Sequence, residues 1–192
     1  MEIYLIRHPK PDVDMGVCYG GKSDLELLPG WEPYLEQIQH LSSDSLVISS
    51  PLMRCLQVAK ALSDTPIIVS RLKEMDFGEW ELQPWNDINT SVLQEWMSDY
   101  VHARVPGGES FDDLYARITG WWSDIQSFEN KRIVIITHAG VIRSILAHVL
   151  HIPLDQIFNL NLDFFSVSKL RLTSHGTKVE YINHNLTSKQ LL

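Results

Sequence analysis

The sequence predicts an α/β fold: a three-layer α/β/α sandwich around a mostly parallel sheet with an antiparallel edge. Three observations lead there. Brief, branched apolar runs at residues 3–6, 46–48, 67–69 and 133–136 are bounded by polar or turn residues and read as buried strands. Three of these runs precede apolar residues at helical spacing, notably Leu52, Cys55, Leu56, Ala59, Leu62 and later Ile142, Ile145, Leu146, Val149. Strands alternating with helices imply a parallel sheet. Finally, residues 164–172 and 178–183 flank a Ser174-His175-Gly176 turn, which predicts an antiparallel pair at one edge.

The helix signals are more local. Ser50 as N-cap with Pro51 at the first helical position places the start of the first of these helices. A further helix is expected over 111–128, with Ser110 as its cap and Asp113 as the capping-box partner. Residues 75–105 fit the alternation poorly, since they hold Trp80, Trp85 and Trp96 with Pro84 and no clean strand. They read as a Trp-rich, partly helical insertion above the sheet. Its tryptophans either pack as core or contact an aromatic or sugar-bearing substrate. No repeat, low-complexity tract or linker divides the chain, so residues 1–192 are expected to form a single domain.

Composition removes several function classes. With 24 acidic against 16 basic side chains the formal charge is −8, so the molecule as a whole repels nucleic acid and anionic membrane. Any phosphate site must be locally positive. The two cysteines, Cys18 and Cys55, form no short metal-binding or disulfide-dense pattern, which suits a reducing compartment. The first apolar run stops at Arg7, so no signal peptide or membrane span is read there, and a cytoplasmic location is the expectation.

In open α/β sheets ligands bind beyond the carboxyl ends of the strands. Here the first strand ends in Arg7-His8, the second leads through Ser49-Ser50-Pro51 to Arg54, and the fourth ends in Thr137-His138-Ala139-Gly140. Two arginines and two histidines are expected to meet. Guanidinium forks and a helix N-terminus together suit a phosphoryl anion. Zinc is the competing reading for the histidines, but no third ligand has a recognisable spacing and the arginines would repel a cation. No metal and no cofactor are expected. His148 and His151, three apart on a helix, read as a solvated pair.

These segments, with Glu74 four residues before Gly78, resemble the histidine phosphatase superfamily, the phosphoglycerate mutase-like proteins, over nearly the whole chain. Within it the sequence looks most like the α-ribazole phosphatases. That narrower likeness rests on Gly16-Val17-Cys18-Tyr19-Gly20 followed by Asp24 and Leu27, on Phe77-Gly78-Glu79-Trp80-Glu81, and on Pro106-Gly107-Gly108-Glu109-Ser110. The sequence departs from the family pattern at Pro9 and Leu82, where glycine is usual, and between Leu27 and Gly30.

The resemblance implies that His8 is the nucleophile, that Arg7, Arg54 and His138 hold the phosphoryl oxygens, and that Glu74 is the general acid, with His138 part of the catalytic group. It also offers Tyr19, Glu81 and Glu109 as substrate contacts, with Glu81 and Glu109 as understudies for the acid. The implied substrate is α-ribazole 5′-phosphate or the corresponding cobalamin phosphate, a small-molecule ester. A broad sugar-phosphate or protein phosphohistidine phosphatase, a phosphoglycerate mutase-type phosphotransferase and a non-catalytic phosphate binder remain as alternatives. Oligomeric state is left open.

Overall fold

The structure, a computed structural model, describes residues 1–185. Six strands form one sheet: β1 (Glu2–Arg7), β2 (Leu46–Ser49), β3 (Ile67–Ile68), β4 (Arg132–Thr137), β5 (Ser166–Thr173) and β6 (Gly176–Asn185), in the order β3-β2-β4-β1-β5-β6. The first four pair in parallel, whereas β5 runs antiparallel to β1 and β6 antiparallel to β5. The predicted parallel sheet with an antiparallel edge is present.

Side chains alternating along each strand feed two cores. Ile3, Leu5, Ile133 and Ile135 face α4 (Phe111–Trp122) and α5 (Ala139–Leu150), packing with Leu114, Ile118, Ile142 and Ile145. Tyr4, Ile6, Val134 and Ile136 face the other way, onto Ile38 and Leu41 of α1 (Glu36–Ser42) and Val58 and Leu62 of α2 (Met53–Leu62). Both faces of β1 and β4 are thus covered, which is why their sequences are continuous apolar runs rather than alternating ones. Each fully buried Ile or Leu contributes roughly 1.5–3 kcal/mol of transfer free energy.

Several boundaries differ from the sequence expectation. α2 begins at Met53, not at Pro51, and its N-cap Leu52 makes no side-chain cap. The Ser50 hydroxyl is engaged elsewhere, and the Met53 N–H is taken by the Asp24 carboxylate at 2.6 Å. The strand expected at 67–69 is only Ile67–Ile68 and is half exposed, because it lies at the sheet edge. The helix over 111–128 winds as α-helix only to Trp122 and continues as a 3-10 turn through Ser127. Its Ser110–Asp113 capping box forms as expected. Helix α1 was not anticipated, since its seven residues bury only Ile38 and Leu41.

Residues 75–105 hold two 3-10 turns and α3 (Thr90–Ser98), which Asn89 caps through its side-chain oxygen. Phe77, Trp80, Trp85 and Trp96 meet edge to face, with Trp80 buried. Within this segment Leu82 has φ +66° and an exposed side chain. A Cβ in the left-handed region costs about 1–2 kcal/mol, partly offset by glycine's larger unfolded-state entropy. Leu82→Gly is therefore expected to stabilise the protein by about 0.5–1 kcal/mol in chemical denaturation, since the Leu82 N–H bond to the Cys18 carbonyl survives the change. A loss of stability would contradict the strain reading.

Candidate active site

The strand order places the carboxyl ends of β2, β4 and β1 side by side, so residues far apart in sequence meet. His8 follows β1 and stays in the sheet, its N–H donating to the Thr137 carbonyl and its C=O accepting from Phe165. Its ring is buried, and Nδ1 donates to the Pro9 carbonyl at 2.6 Å. That bond leaves the Nε2 lone pair uncommitted. Pro9, which lacks the amide of the usual glycine, thus presents its carbonyl to the histidine.

His138, the N-cap residue of α5, is fully buried with its ring centroid 5.1 Å from that of His8. Arg54 lies on the first turn of α2, also fully buried, and its terminal nitrogens donate to the carbonyls of Ser23 (2.6 Å) and Gly20 (2.8 Å). Arg7 donates to the Leu162 carbonyl and stacks on Phe164, Cζ 3.8 Å from the ring centroid. Tyr19 touches both cations: it pairs with Arg7, and its ring lies 5.4 Å from Arg54 Cζ. Burial raises the Tyr19 pKa, so its phenol stays a hydrogen-bond donor.

Among the described residues, Arg7 and Arg54 each keep a buried Nε–H with no acceptor, and so do Arg143 on α5 and, at the opposite end of the sheet, Arg132. Buried donors are ordinarily satisfied, so three orphaned guanidinium N–H groups in one region fit an anion. Arg143 was missed in the sequence. Its signal was a lone cation within the apolar run Val141, Ile142, Ile145, Leu146 that α5 buries.

Glu74 sits beside these groups, after the 3-10 turn that follows β3. Its carboxylate accepts from the Gly140 N–H at 3.1 Å and the Met75 N–H at 2.9 Å. Any Cβ at position 140 would collide with that carboxylate and with Leu114, so Gly140 is what admits Glu74 to the N-terminus of α5. Glu74, Gly140, Arg143, Trp96, Tyr100 and Phe158 line part of a cavity of about 110 Å³.

Glu81 and Glu109 are placed differently. Glu81 accepts from the backbone N–H groups of Lys22, Ser23 and Phe77 and from the Ser23 hydroxyl. Glu109 takes a two-point bond from Arg117 and the Asp76 N–H. Both carboxylates satisfy the amides of irregular backbone, which has no ladder to do so.

Electrostatics sets the protonation of the two histidines. Burial, then the charges of Arg54 and Arg7, hold the His8 imidazole well below its ordinary value of 6.5, against a smaller opposing effect of the Pro9 carbonyl. Burial, then Arg54, His8, Arg7 and Arg117, lower His138 likewise. Both rings are neutral at pH 7. In the unfolded chain the same rings titrate near 6.5, so as pH falls below that value the unfolded state binds protons that the folded state refuses. Stability is therefore expected to decline below about pH 6.5, with a limiting slope of about 1.4 kcal/mol per pH unit for each histidine. Melting temperatures measured between about pH 8 and pH 5 check this; a rise on acidification would contradict it.

Residues 3–185 match the family model of the histidine phosphatase superfamily, branch 1. The chain belongs to that superfamily. Among histidine phosphatase relatives, a candidate phosphoserine phosphatase of Hydrogenobacter thermophilus is 26% identical over 199 residues, covering 98% of each chain. The adenosylcobalamin/alpha-ribazole phosphatase of Escherichia coli is 27% identical over 177 residues, covering 85% of this chain and 86% of that one. The crystal structure of the alpha-ribazole phosphatase from Shigella flexneri superposes with a TM-score of 0.81 at 24% identity, over 95% of this chain and 96% of that chain, which supports the fold. Membership in a family of phosphatases supports phosphoric monoester hydrolysis as the general activity.

Proposed function

We propose that this histidine phosphatase cleaves phosphomonoesters through a phosphohistidine formed on His8 and needs no metal or cofactor. The observation that carries the reading is the uncommitted Nε2 of a neutral, buried His8 beside two arginines whose Nε–H groups lack acceptors among the described residues. Nε2 attacks phosphorus in line as the ester P–O bond breaks, and the leaving oxygen takes a proton from Glu74, which enters this step as the neutral carboxylic acid and leaves it as the carboxylate. Water then attacks the phosphohistidine, gives its proton to Glu74, and releases inorganic phosphate and neutral His8. Arg7, Arg54 and His138 hold the equatorial oxygens, and such fixed charges supply most of the acceleration in phosphoryl transfer. Tyr19 steadies Arg7. Glu81 and Glu109, tied to the backbone, take no substrate role in this scheme.

For the substrate we place α-ribazole 5′-phosphate first, with adenosylcobalamin 5′-phosphate beside it, in the assembly of the cobalamin nucleotide loop. The Escherichia coli relative supports this, as do the aromatic walls of the cavity next to Glu74, which suit a flat base. O-phosphoserine is the second reading. It is favoured by the Arg143 Nε–H at the same cavity, which has no partner among the described residues and fits a carboxylate, and by a volume of about 110 Å³ that suits a leaving group of few atoms.

Phosphate release in the presence of EDTA from α-ribazole 5′-phosphate, O-phosphoserine, 3-phosphoglycerate, simple sugar phosphates and a phosphohistidine peptide decides among them, with His8→Ala as control. Preference for the first supports the cobalamin reading. Preference for O-phosphoserine moves the substrate to the second, and binding of phosphate without turnover of any ester would leave only a phosphate-binding protein.

A further inference from the structure

We propose that Ser50 is a positioning residue that fixes His138 in the tautomer with its proton on Nδ1, so that a neutral histidine presents an N–H donor to the phosphoryl group. The proposal rests on the phosphohistidine reading above for its catalytic consequence, though not for the tautomer itself.

Ser50 is fully buried at the end of β2 and is held from several sides. Its N–H donates to the Ile136 carbonyl at 3.0 Å, and its own carbonyl accepts from the Ser49 hydroxyl at 2.8 Å. Its Oγ lies 2.8 Å from His138 Nε2, and the Leu52 N–H approaches the same oxygen at 3.4 Å. A serine hydroxyl has one proton and two lone pairs. The Leu52 amide can only donate, so it takes a lone pair. The second lone pair is not claimed by any other donor hydrogen bond among the described residues, and the nearest acceptor for the hydroxyl proton is Nε2, 2.8 Å away, so the proton is assigned there.

A neutral imidazole carries one N–H and one bare nitrogen. With Nε2 accepting from Ser50, Nδ1 must hold the proton. The Cys55 sulfur lies 3.8 Å from Nδ1 and 3.5 Å from Nε2; burial keeps its thiol protonated, so towards Nδ1–H it is only a weak acceptor. The Nδ1–H is thus available to a stronger acceptor, and the phosphoryl oxygens beside His8 are such acceptors. In the opposite tautomer Nε2–H would donate to Ser50 and a bare lone pair would confront an anion. The protonated ring, the other way to supply a donor, is opposed by its burial and by Arg54 and Arg7. Ser50 therefore lets His138 donate without carrying a charge.

The test is direct observation of the tautomer by two-bond proton–nitrogen correlation in the full chain labelled with ¹⁵N-histidine, at roughly pH 8, where free imidazoles are neutral. The His138 signals are assigned by their loss in His138→Gln. The wild-type protein is expected to show the Nδ1–H pattern, Ser50→Thr to keep it, and Ser50→Ala to show a mixture or the reverse. On p-nitrophenyl phosphate, Ser50→Ala should lower kcat by about 10–100-fold, and Ser50→Thr should restore most of it. An Nε2–H pattern in the wild-type protein overturns the proposal without any variant, and so does a Ser50→Ala protein with unchanged tautomer and kcat. If no ester were turned over by the wild-type protein, the phosphohistidine reading would fall while the spectrum still decided the tautomer.

Discussion

His8→Ala is expected to abolish phosphate release, lowering kcat by about 10⁴-fold or more on every ester that the protein cleaves. The expectation comes from the geometry of one ring. The bond from Nδ1 to the Pro9 carbonyl fixes the tautomer, and burial with Arg54 and Arg7 keeps the ring neutral, so Nε2 is a ready nucleophile at pH 7. Alanine removes that nitrogen and leaves Arg7, Arg54 and His138 in place. The variant should still bind inorganic phosphate within a few-fold of wild type and should melt as a cooperative unit. Loss of phosphate binding together with activity would show only that the pocket had collapsed. Activity retained within about tenfold would remove covalent catalysis from the account.

Glu74→Gln has the second largest expected effect, about 10²–10⁴-fold on alkyl phosphates. The carboxylate is placed by two amides, Gly140 and Met75, where it lines the cavity that would hold a leaving group. It is also close enough to Arg7 and Arg143 to interact with their charges. Glutamine keeps the shape and cannot deliver a proton. The diagnostic is the leaving group: p-nitrophenolate departs without protonation, so the variant should lose much less on p-nitrophenyl phosphate than on an alkyl ester. Equal losses on both would assign Glu74 to holding the Gly140 amide rather than to proton transfer.

Much of this was legible in the sequence because it is written in short-range signals. The strands at 3–6 and 133–136 are buried on both faces, and such strands are apolar throughout, so their runs stand out. Arg7, His8, Arg54 and His138 stood out because each ends or directly follows a strand or opens a helix. Their convergence, however, depends on β4 lying between β1 and β2, a long-range pairing that no local pattern announces. Ser50 illustrates the same limit. Its sequence context marks it as a helix cap, and a tertiary partner 88 residues away claims its hydroxyl instead. Arg143 is hidden for a related reason: one cation on a helix reads as solvated until the neighbouring elements cover it. Glu81 and Glu109 were offered as substrate contacts by resemblance alone, and the amides that occupy them belong to loops whose paths no periodicity encodes.

The central claim is that the phosphoryl group rests on His8 between two chemical steps. Rapid acid-free quenching of the enzyme with ³²P-labelled substrate, followed by peptide mass spectrometry under alkaline conditions, tests it most directly. The account predicts one phosphoryl group on the peptide carrying His8, labile to acid and stable to alkali, accumulating further in Glu74→Gln with a good leaving group and missing from His8→Ala. Label on another residue, or full turnover with no trapped phosphoenzyme in either the wild-type protein or Glu74→Gln, would contradict it.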